Sequence, residues 1–153
     1  MVDPDEGGTE GAEAVLIDTD VFIELMAGGD RAARWLPLVE GRYGLISFVT
    51  AGEVKAGVEI QGWGQRRRDD LAKRFNATVT VPYDAALIDE YARVYAEARR
   101  LGHALGGKHQ SNDRWIAATA RVLGVPLLTN NLRHFQGLPG LDLVDEPADT
   151  MSE

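Results

Sequence analysis

Apolar residues in this chain occur either in short uninterrupted runs or in longer stretches with helical spacing. Short apolar runs are typical of strands that are buried on both faces, as in parallel sheets. Such runs, together with short stretches that are only partly apolar, predict strands at 14–17, 43–47, 78–81, 125–128 and 141–144. Helical spacing predicts helices at about 21–27, 31–40, 50–60, 63–76, 84–100 and 112–123. Since helices separate the strands, we expect a three-layer α/β/α sandwich around a central, mainly parallel sheet of four to five strands.

The chain has the length of one domain with a substantial core, and no repeat or internal linker interrupts it. We expect residues 14–145 to form this domain and the acidic ends, 1–13 and 146–153, to be disordered. No apolar run approaches the roughly 20 residues of a membrane span, and the first residues lack the features of a signal peptide. The sequence therefore predicts a cytoplasmic protein without membrane association.

The net charge of −8 is unevenly distributed along the chain. Residues 1–13 and 142–153 together carry ten of the 24 acidic residues and none of the 16 basic ones, which leaves a small positive balance between them. Basic residues also cluster at 66–68, 73–74 and 99–100. This distribution is compatible with a nucleic-acid substrate, although solvated helix faces would explain each cluster equally well.

Cysteine and histidine limit the kinds of metal site that are possible. The chain has no cysteine, which excludes disulfides and thiolate ligands, and its three histidines lack the spacing of a zinc motif. Any bound metal would therefore be held by oxygen ligands, which favours Mg²⁺ or Mn²⁺.

Acidic and amide side chains collect on the side of the predicted sheet where ligands bind in parallel α/β folds. Asp18 ends the first strand, and Glu53 lies early in the helix after the second. Asp113 opens the helix before the fourth strand, and Asn131 follows that strand. Each has a local alternative as a helix cap or helix-start residue, and Thr50 with Glu53 fits a capping box. Carboxylates that lie together at one edge of a sheet nevertheless repel one another, and a divalent cation relieves that repulsion. The pattern therefore predicts a metal site.

Four segments of the chain resemble the four successive motifs of PIN-domain VapC toxins: 16–22, 47–53, 112–120 and 126–135. The resemblance extends over about residues 14–144, and the last two segments, in series, are the most specific. It implies a PIN-like fold and a metal-dependent endoribonuclease that is the toxin of a VapBC-type toxin–antitoxin pair.

By this resemblance the catalytic residues are Asp18, Glu53, Asp113 and Asn131, and the ligands of Mg²⁺ or Mn²⁺ are Asp18 and Asp113. Glu53 would be a further ligand or would orient the attacking water. Asn131 occupies a variable position that is often Asp or Asn, and Asp20 stands where many relatives have Asn. The implied reaction is hydrolysis of an RNA phosphodiester, in which the metal activates water and offsets charge in the transition state.

Four residues beside these motifs are candidates for contacts with RNA. The hydroxyls of Thr19 and Thr129 could bind the phosphate or a carboxylate, or have a structural role. Arg114 and Arg133 could bind RNA phosphates, whereas a helix-surface arginine is often only solvated. The three tryptophans could stack on bases, although packing in the core or an interface is the stronger expectation.

The resemblance also implies a homodimer that is held inactive by a small antitoxin. The first two predicted helices, with the start of the basic helix nearby, carry more apolar side chains than packing on a sheet requires, which is typical of an interface: Leu25, Met26, Trp35, Leu38, Val39 and Trp63. A basic antitoxin side chain could reach the acidic site and displace the metal.

Two other functions stay open from the sequence. Asp18-Thr19-Asp20 after a strand matches the nucleophile motif of haloacid-dehalogenase-like phosphatases, in which Asp18 would form an aspartyl-phosphate, but the later motifs of that class are not evident. A PIN-like scaffold that binds RNA or protein without activity would be compatible with Asn131 in place of an acid. The three acids that are present favour the nuclease.

Overall fold

The computed structural model of the protein describes residues 13–144. The predicted disordered ends, 1–13 and 146–153, therefore lie outside the described residues except for Glu13. The strands in the described range are β1 (Ala14–Ile17), β2 (Tyr43–Ser47), β3 (Val79–Val81) and β4 (Leu127–Leu128). The helices, beside a 3₁₀ turn at Ala104–Gly106, are α1 (Thr19–Ala27), α2 (Gly29–Val39), α3 (Phe48–Gln61), α4 (Gln65–Asn76), α5 (Ala85–Leu101), α6 (Ser111–Leu123) and α7 (Leu132–Phe135). No helix in this range is long and apolar enough to cross a membrane.

These strands form one parallel sheet in the order β3-β2-β1-β4. β1 is central, because Leu16 pairs with Leu45 of β2 and with Leu127 of β4. The chain adds strands on one side of β1 and then crosses to the other side for β4, and ligands bind where strand order changes direction in this way. The predicted fifth strand, 141–144, is reduced to a single bridge between Leu127 and Leu143, because β4 offers only two residues for pairing.

Two apolar cores lie on opposite faces of this sheet. Along β1, Leu16 belongs to one core and its neighbours Val15 and Ile17 to the other, as the alternation of side chains in a strand requires. Side chains of α5 and α6 fill the first core, and side chains of α1, α2, α3 and α4 fill the second. The predicted three-layer α/β/α arrangement is therefore confirmed.

The helices that carry the first two candidate acids begin earlier than the apolar pattern predicts. Asp18 caps α1 by accepting a hydrogen bond from the Thr19 amide, so this helix begins at Thr19. The Ser47 hydroxyl accepts a backbone amide in the first turn of α3. Thr50 consequently lies inside α3, and the capping box between Thr50 and Glu53 does not form. This frees both side chains for contacts with α1.

Candidate active site

The carboxylate of Asp18 lies where the carboxyl ends of β1 and β4 meet. Its Oδ1 atom accepts a hydrogen bond from the Thr19 amide at 2.8 Å, and its Oδ2 atom accepts one from the Thr129 hydroxyl at 2.7 Å. Thr129 itself follows β4 and accepts the amide of Asn131 at 3.0 Å. Only 7% of Asp18 is exposed. The side chain is therefore fixed in orientation by two donors from different elements.

Glu53 is connected to α1 through a pair of buried threonine hydroxyls. The Thr19 hydroxyl lies 2.9 Å from the Thr50 hydroxyl and donates to Glu53 Oε1 at 3.2 Å. Since Thr19 has only one hydroxyl hydrogen, Thr50 must donate to Thr19 when Thr19 donates to Glu53. Thr19 thus positions one carboxylate through its amide and another through its hydroxyl.

Asp113 lies in the first turn of α6 and contacts a residue of α7. His134 Nε2 is 3.0 Å from Asp113 Oδ2 and 2.6 Å from Gln110 Oε1. A proton on this nitrogen would be shared between two acceptor oxygens. His134 has no role in the sequence analysis, and its signal there was weak: it follows Asn131 by three residues within the fourth motif.

Burial, with repulsion from neighbouring carboxylates, raises the pKa of all three carboxyl groups. For Asp18 burial has the largest effect on the pKa, the hydrogen bonds from Thr129 and Thr19 oppose it, and the charges of Asp113 and Asp20 add to it. Burial also raises the pKa of Glu53, with further increases from Asp113, Asp18 and Asp20. Burial raises the pKa of Asp113 too, against the lowering effect of His134. The carboxylates therefore share one electrostatic environment that favours either protons or a cation.

The spacing of these groups restricts how a metal could bind. Within residues 13–144, no three His, Cys, Asp or Glu side chains are grouped closely enough to hold one metal ion. Mg²⁺ does not require three, because it is commonly bound by one or two carboxylates together with water and phosphate oxygens. The oxygen donors of Asp18 and Asp113 fit this chemistry, and their charges interact.

Three residues beside the predicted site are exposed to solvent. Asn131 is exposed, and its side chain does not cap α7. Arg133 is exposed on the same short helix. Asp20, in the first turn of α1, is exposed as well and acts on the three acids through its charge. The local alternative for Asn131 as a helix cap is therefore wrong, while Asp18 does act as a cap.

Arg114, a candidate for binding RNA phosphates from the sequence, is instead buried in the protein. Its side chain is 3% exposed, and its guanidinium donates to the carbonyls of Leu105 at 2.9 Å and Gly107 at 2.6 Å and to the Tyr91 hydroxyl at 3.1 Å. The guanidinium also lies over the Tyr95 ring, 3.9 Å from its centre. Through these contacts the guanidinium connects the 102–110 loop to α5 and α6.

The tryptophans pack mainly against other side chains, as the sequence led us to expect. Trp35 is completely buried in the core, and Trp115 stacks on Tyr91 with ring centres 4.1 Å apart. Trp63 is half-buried beside α4, where the Arg67 guanidinium lies 3.8 Å from its ring centre. Of the three tryptophans, Trp63 lines a surface groove.

Comparison with known proteins agrees with this architecture. The family model described as PIN domain matches residues 15–140. The chain is 27% identical over 135 residues to Ribonuclease VapC1 of Methanocaldococcus jannaschii, with 86% of this chain and 88% of that protein covered. It is 31% identical over 100 residues to the tRNA(fMet)-specific endonuclease VapC of Shigella flexneri, with 65% and 73% covered.

A solved structure has the same fold. The structure of VapBC2 from Rickettsia felis, bound to a DNA fragment from the promoter, contains a chain that superposes with a TM-score of 0.71 at 20% identity. The match covers 86% of this chain and 97% of that chain. The PIN model matches most of the chain, which confirms the resemblance found in the sequence. This match favours the PIN fold over the phosphatase alternative for Asp18. The chain belongs to the PIN domain family.

Proposed function

We propose that this protein is a metal-dependent endoribonuclease and the toxin of a VapBC-type toxin–antitoxin pair. The observation that carries the proposal is the set of three carboxyl groups, Asp18, Glu53 and Asp113, at the carboxyl edge of the sheet, where the charge of Asp113 raises the pKa of the other two. The names of the similar VapC ribonucleases support RNA as the substrate. An enzyme that acts on cellular RNA would work in the cytoplasm.

In this proposal Asp18 and Asp113 hold Mg²⁺ or Mn²⁺. When bound, the metal supplies positive charge for the scissile phosphate and makes water easier to deprotonate. Thr129 and the Thr19 amide keep Asp18 oriented toward the site. Glu53, which Thr19 positions, orients the attacking water and accepts its proton, a task that its raised pKa favours.

Two exposed residues complete the proposed site. Asn131 offers an uncharged amide at the same edge as Asp18 and would hydrogen-bond the substrate or a metal-bound ligand without adding charge. Arg133, two residues further on α7, would bind an RNA phosphate. Thr19 and Thr129 are assigned to the carboxylates, because their hydroxyls are already engaged there.

The partner part of the proposal is a small antitoxin together with a homodimer. Similar solved structures are those of VapBC2 from Rickettsia felis and VapBC from Salmonella typhimurium, which supports an antitoxin. The expected apolar surface is smaller than the sequence indicates, because Trp35 is buried and Leu25, Met26, Leu38 and Val39 pack partly against the core. On the same helices, Ile23 and Leu36 remain exposed by 44% and 42%. A cationic antitoxin side chain that pairs with the acids would block metal binding.

RNA cleavage by purified variants tests the active site. With Mg²⁺ or Mn²⁺, Asp18→Asn, Glu53→Gln and Asp113→Asn should each lower the cleavage rate on the order of a hundredfold, because each removes transition-state stabilisation. Asp89→Asn is the matched control, since Asp89 is an exposed acid on α5. Near wild-type cleavage by all three site variants, with the fold intact, would contradict the assignment.

A second candidate is a PIN-like module that binds RNA or protein without cleavage. Asn131 in place of an acid and the lack of a three-ligand group within residues 13–144 favour it. Calorimetric titration with Mn²⁺ separates the two, because the nuclease requires binding that Asp18→Asn weakens. A protein with no Asp18-dependent binding of Mn²⁺ would be the inactive module.

A further inference from the structure

The imidazole ring of His134 lies against the carboxylate of Asp113, one of the two proposed metal ligands. Its Nε2 atom is 3.0 Å from Asp113 Oδ2 and 2.6 Å from Gln110 Oε1. Two oxygen atoms at these distances require a proton on Nε2, because without it the carboxylate would face the lone pair of the ring nitrogen. His134 is therefore a hydrogen-bond donor to Asp113, and Gln110 accepts the same proton.

The position of the His134 ring is determined by residues that are not part of the proposed site. The helix α7 has only four residues, so contacts beyond the helix must hold it in place. Phe135 is 1% exposed, and its ring meets the His134 ring edge-on with centres 5.5 Å apart. After α7, the Gln136 carbonyl lies 2.8 Å from His103 Nε2. Since His103 Nδ1 accepts the Leu105 amide, Nε2 carries the proton and donates to this carbonyl.

The carboxylate of Asp18, the other proposed metal ligand, is held by a comparable contact. Thr129 donates to its Oδ2 atom at 2.7 Å. Carboxylates that bind a metal are commonly oriented in this way by a hydrogen bond from a neighbouring group. His134 contacts Oδ2 of Asp113, which lets a metal bind through Oδ1. The two acids thus have the same arrangement, although their donors come from different elements.

We propose that His134 is the positioning residue for Asp113, whose carboxylate it holds in the orientation that binds the metal. The inference rests on the proposed metal-dependent function, because it assigns a task at the same site. His134 acts through Asp113 and contacts neither the metal nor RNA. A side chain that only completed the packing of α7 would contribute to stability but would leave metal affinity unchanged.

The test measures Kd for Mn²⁺ in the absence of RNA, from the electron paramagnetic resonance signal of the free ion. His134→Leu should raise Kd about 10–100-fold, as expected when the donor to a metal ligand is lost. His134→Gln should restore most of the affinity, because its amide places an N–H donor close to the position of Nε2. His109→Leu is the matched control, since His109 is an exposed histidine of the 102–110 loop, and it should leave Kd unchanged. Circular dichroism melts without metal verify that the variants are folded.

The dependence of RNA cleavage on Mn²⁺ concentration separates positioning from direct participation in the reaction. His134→Leu should need about 10–100-fold more Mn²⁺ for half-maximal cleavage. Its rate at saturation should return to within severalfold of wild type, because the bound metal then orients Asp113 itself. Asp113→Asn should stay lower on the order of a hundredfold at saturation, since its carboxylate is gone.

Three results would overturn the inference. The first is a wild-type Kd for Mn²⁺ in His134→Leu, and the second is an equal loss of affinity in His134→Leu and His134→Gln. The third is a cleavage rate of His134→Leu that saturating Mn²⁺ does not restore, since His134 would then take part in the reaction. In each case the proposed function stands if Asp18→Asn still weakens binding of Mn²⁺. If the wild-type protein binds no Mn²⁺, both fail.

Discussion

At the scale of single residues, Asp18 joins the fold to the proposed chemistry. Its carboxylate caps α1 and accepts the Thr129 hydroxyl, so both oxygens have a partner. Burial nevertheless raises its pKa above the ordinary value, which means that two hydrogen bonds do not replace the water that the carboxylate has lost. The residue is thus held in place at an electrostatic cost that a metal would offset.

Thr129→Val tests the support of Asp18. The change keeps the side-chain shape but removes the donor that residues 13–144 provide to Asp18 Oδ2. A buried acceptor without a partner costs about 1–3 kcal/mol. We expect a loss of this size in the free energy of unfolding, measured in urea, together with slower RNA cleavage. Thr80→Val on the exposed face of β3 should have little effect. Equal stability of the two variants would show that Thr129 does not stabilise the carboxylate.

Asp113→Asn tests the repulsion among the acids through the pH dependence of stability. A carboxyl group whose pKa is raised in the folded state contributes stability below its unfolded pKa and loses it as the pH rises through the folded pKa. Asp18, Glu53 and Asp113 all shift in this direction. Without metal, Asp113→Asn should therefore be at least as stable as wild type at pH 7, and its advantage should shrink as the pH falls toward ordinary carboxyl values. Urea unfolding at several pH values measures this, and an advantage that grows on acidification would contradict it.

At the scale of elements, the 102–110 loop connects the core to Asp113. Arg114 holds two carbonyls of this loop, Gln110 at its end contacts His134, and His134 contacts Asp113. Asp113 and Arg114 are neighbours in sequence, but one residue turns an α-helix by about 100°, so the first faces the site and the second the interior. Proximity to Asp113 along the chain therefore does not place the Arg114 side chain at the site, because the two residues lie on different faces of α6.

Arg114→Gln tests the structural role of this arginine. The loss of charge-assisted hydrogen bonds to two carbonyls should cost at least about 2 kcal/mol in the free energy of unfolding, and Arg114→Lys should also destabilise, since an ammonium cannot reproduce the planar fork. Arg133→Gln, at an exposed position of α7, should leave stability unchanged. Should Arg114→Gln unfold like wild type but bind RNA more weakly, the phosphate-binding role considered from the sequence would be correct.

The agreement between the predicted and the observed residue ranges differs from strand to strand. β1 and β2 agree with the predicted ranges at both ends, because an apolar run buried on two faces has few other places to fold. The 141–144 segment is also largely apolar but pairs at one residue only, because β4 is short. The contacts of Thr19 with Thr50 and of Asp113 with His134 join residues that are distant in the chain, and no local pattern encodes such pairs.

At the scale of the whole molecule, positive and negative charges are concentrated in neighbouring regions. The net charge is −8, yet four cations line a groove between α1, α3 and α4 beside Glu53: Arg31, Arg67, Lys73 and Arg74. The charges of Asp113 and Asp18 raise the pKa of Glu53. A polyanionic substrate is attracted to these cations, and a divalent cation is attracted to the carboxylates. Substrate and metal would thus bind to neighbouring regions of opposite sign.

Mn²⁺ should raise the melting temperature of the whole protein. An ion that binds only the folded state adds about 2.7 kcal/mol of stability when its free concentration is about 100 times Kd. Differential scanning fluorimetry with and without millimolar Mn²⁺ measures the shift, and Asp18→Asn should reduce it while Asp89→Asn should not. A melting temperature that does not respond to Mn²⁺ would count against a metal site.

The most direct test of the account is the rate of RNA cleavage as a function of Mn²⁺ concentration, with wild type and Asp18→Asn compared after treatment with EDTA. The account predicts no cleavage by wild type in EDTA, a rate that rises and saturates as Mn²⁺ is restored, and cleavage by Asp18→Asn that stays lower on the order of a hundredfold at saturation. Cleavage that survives EDTA, or that Asp18→Asn performs at the wild-type rate, would contradict it.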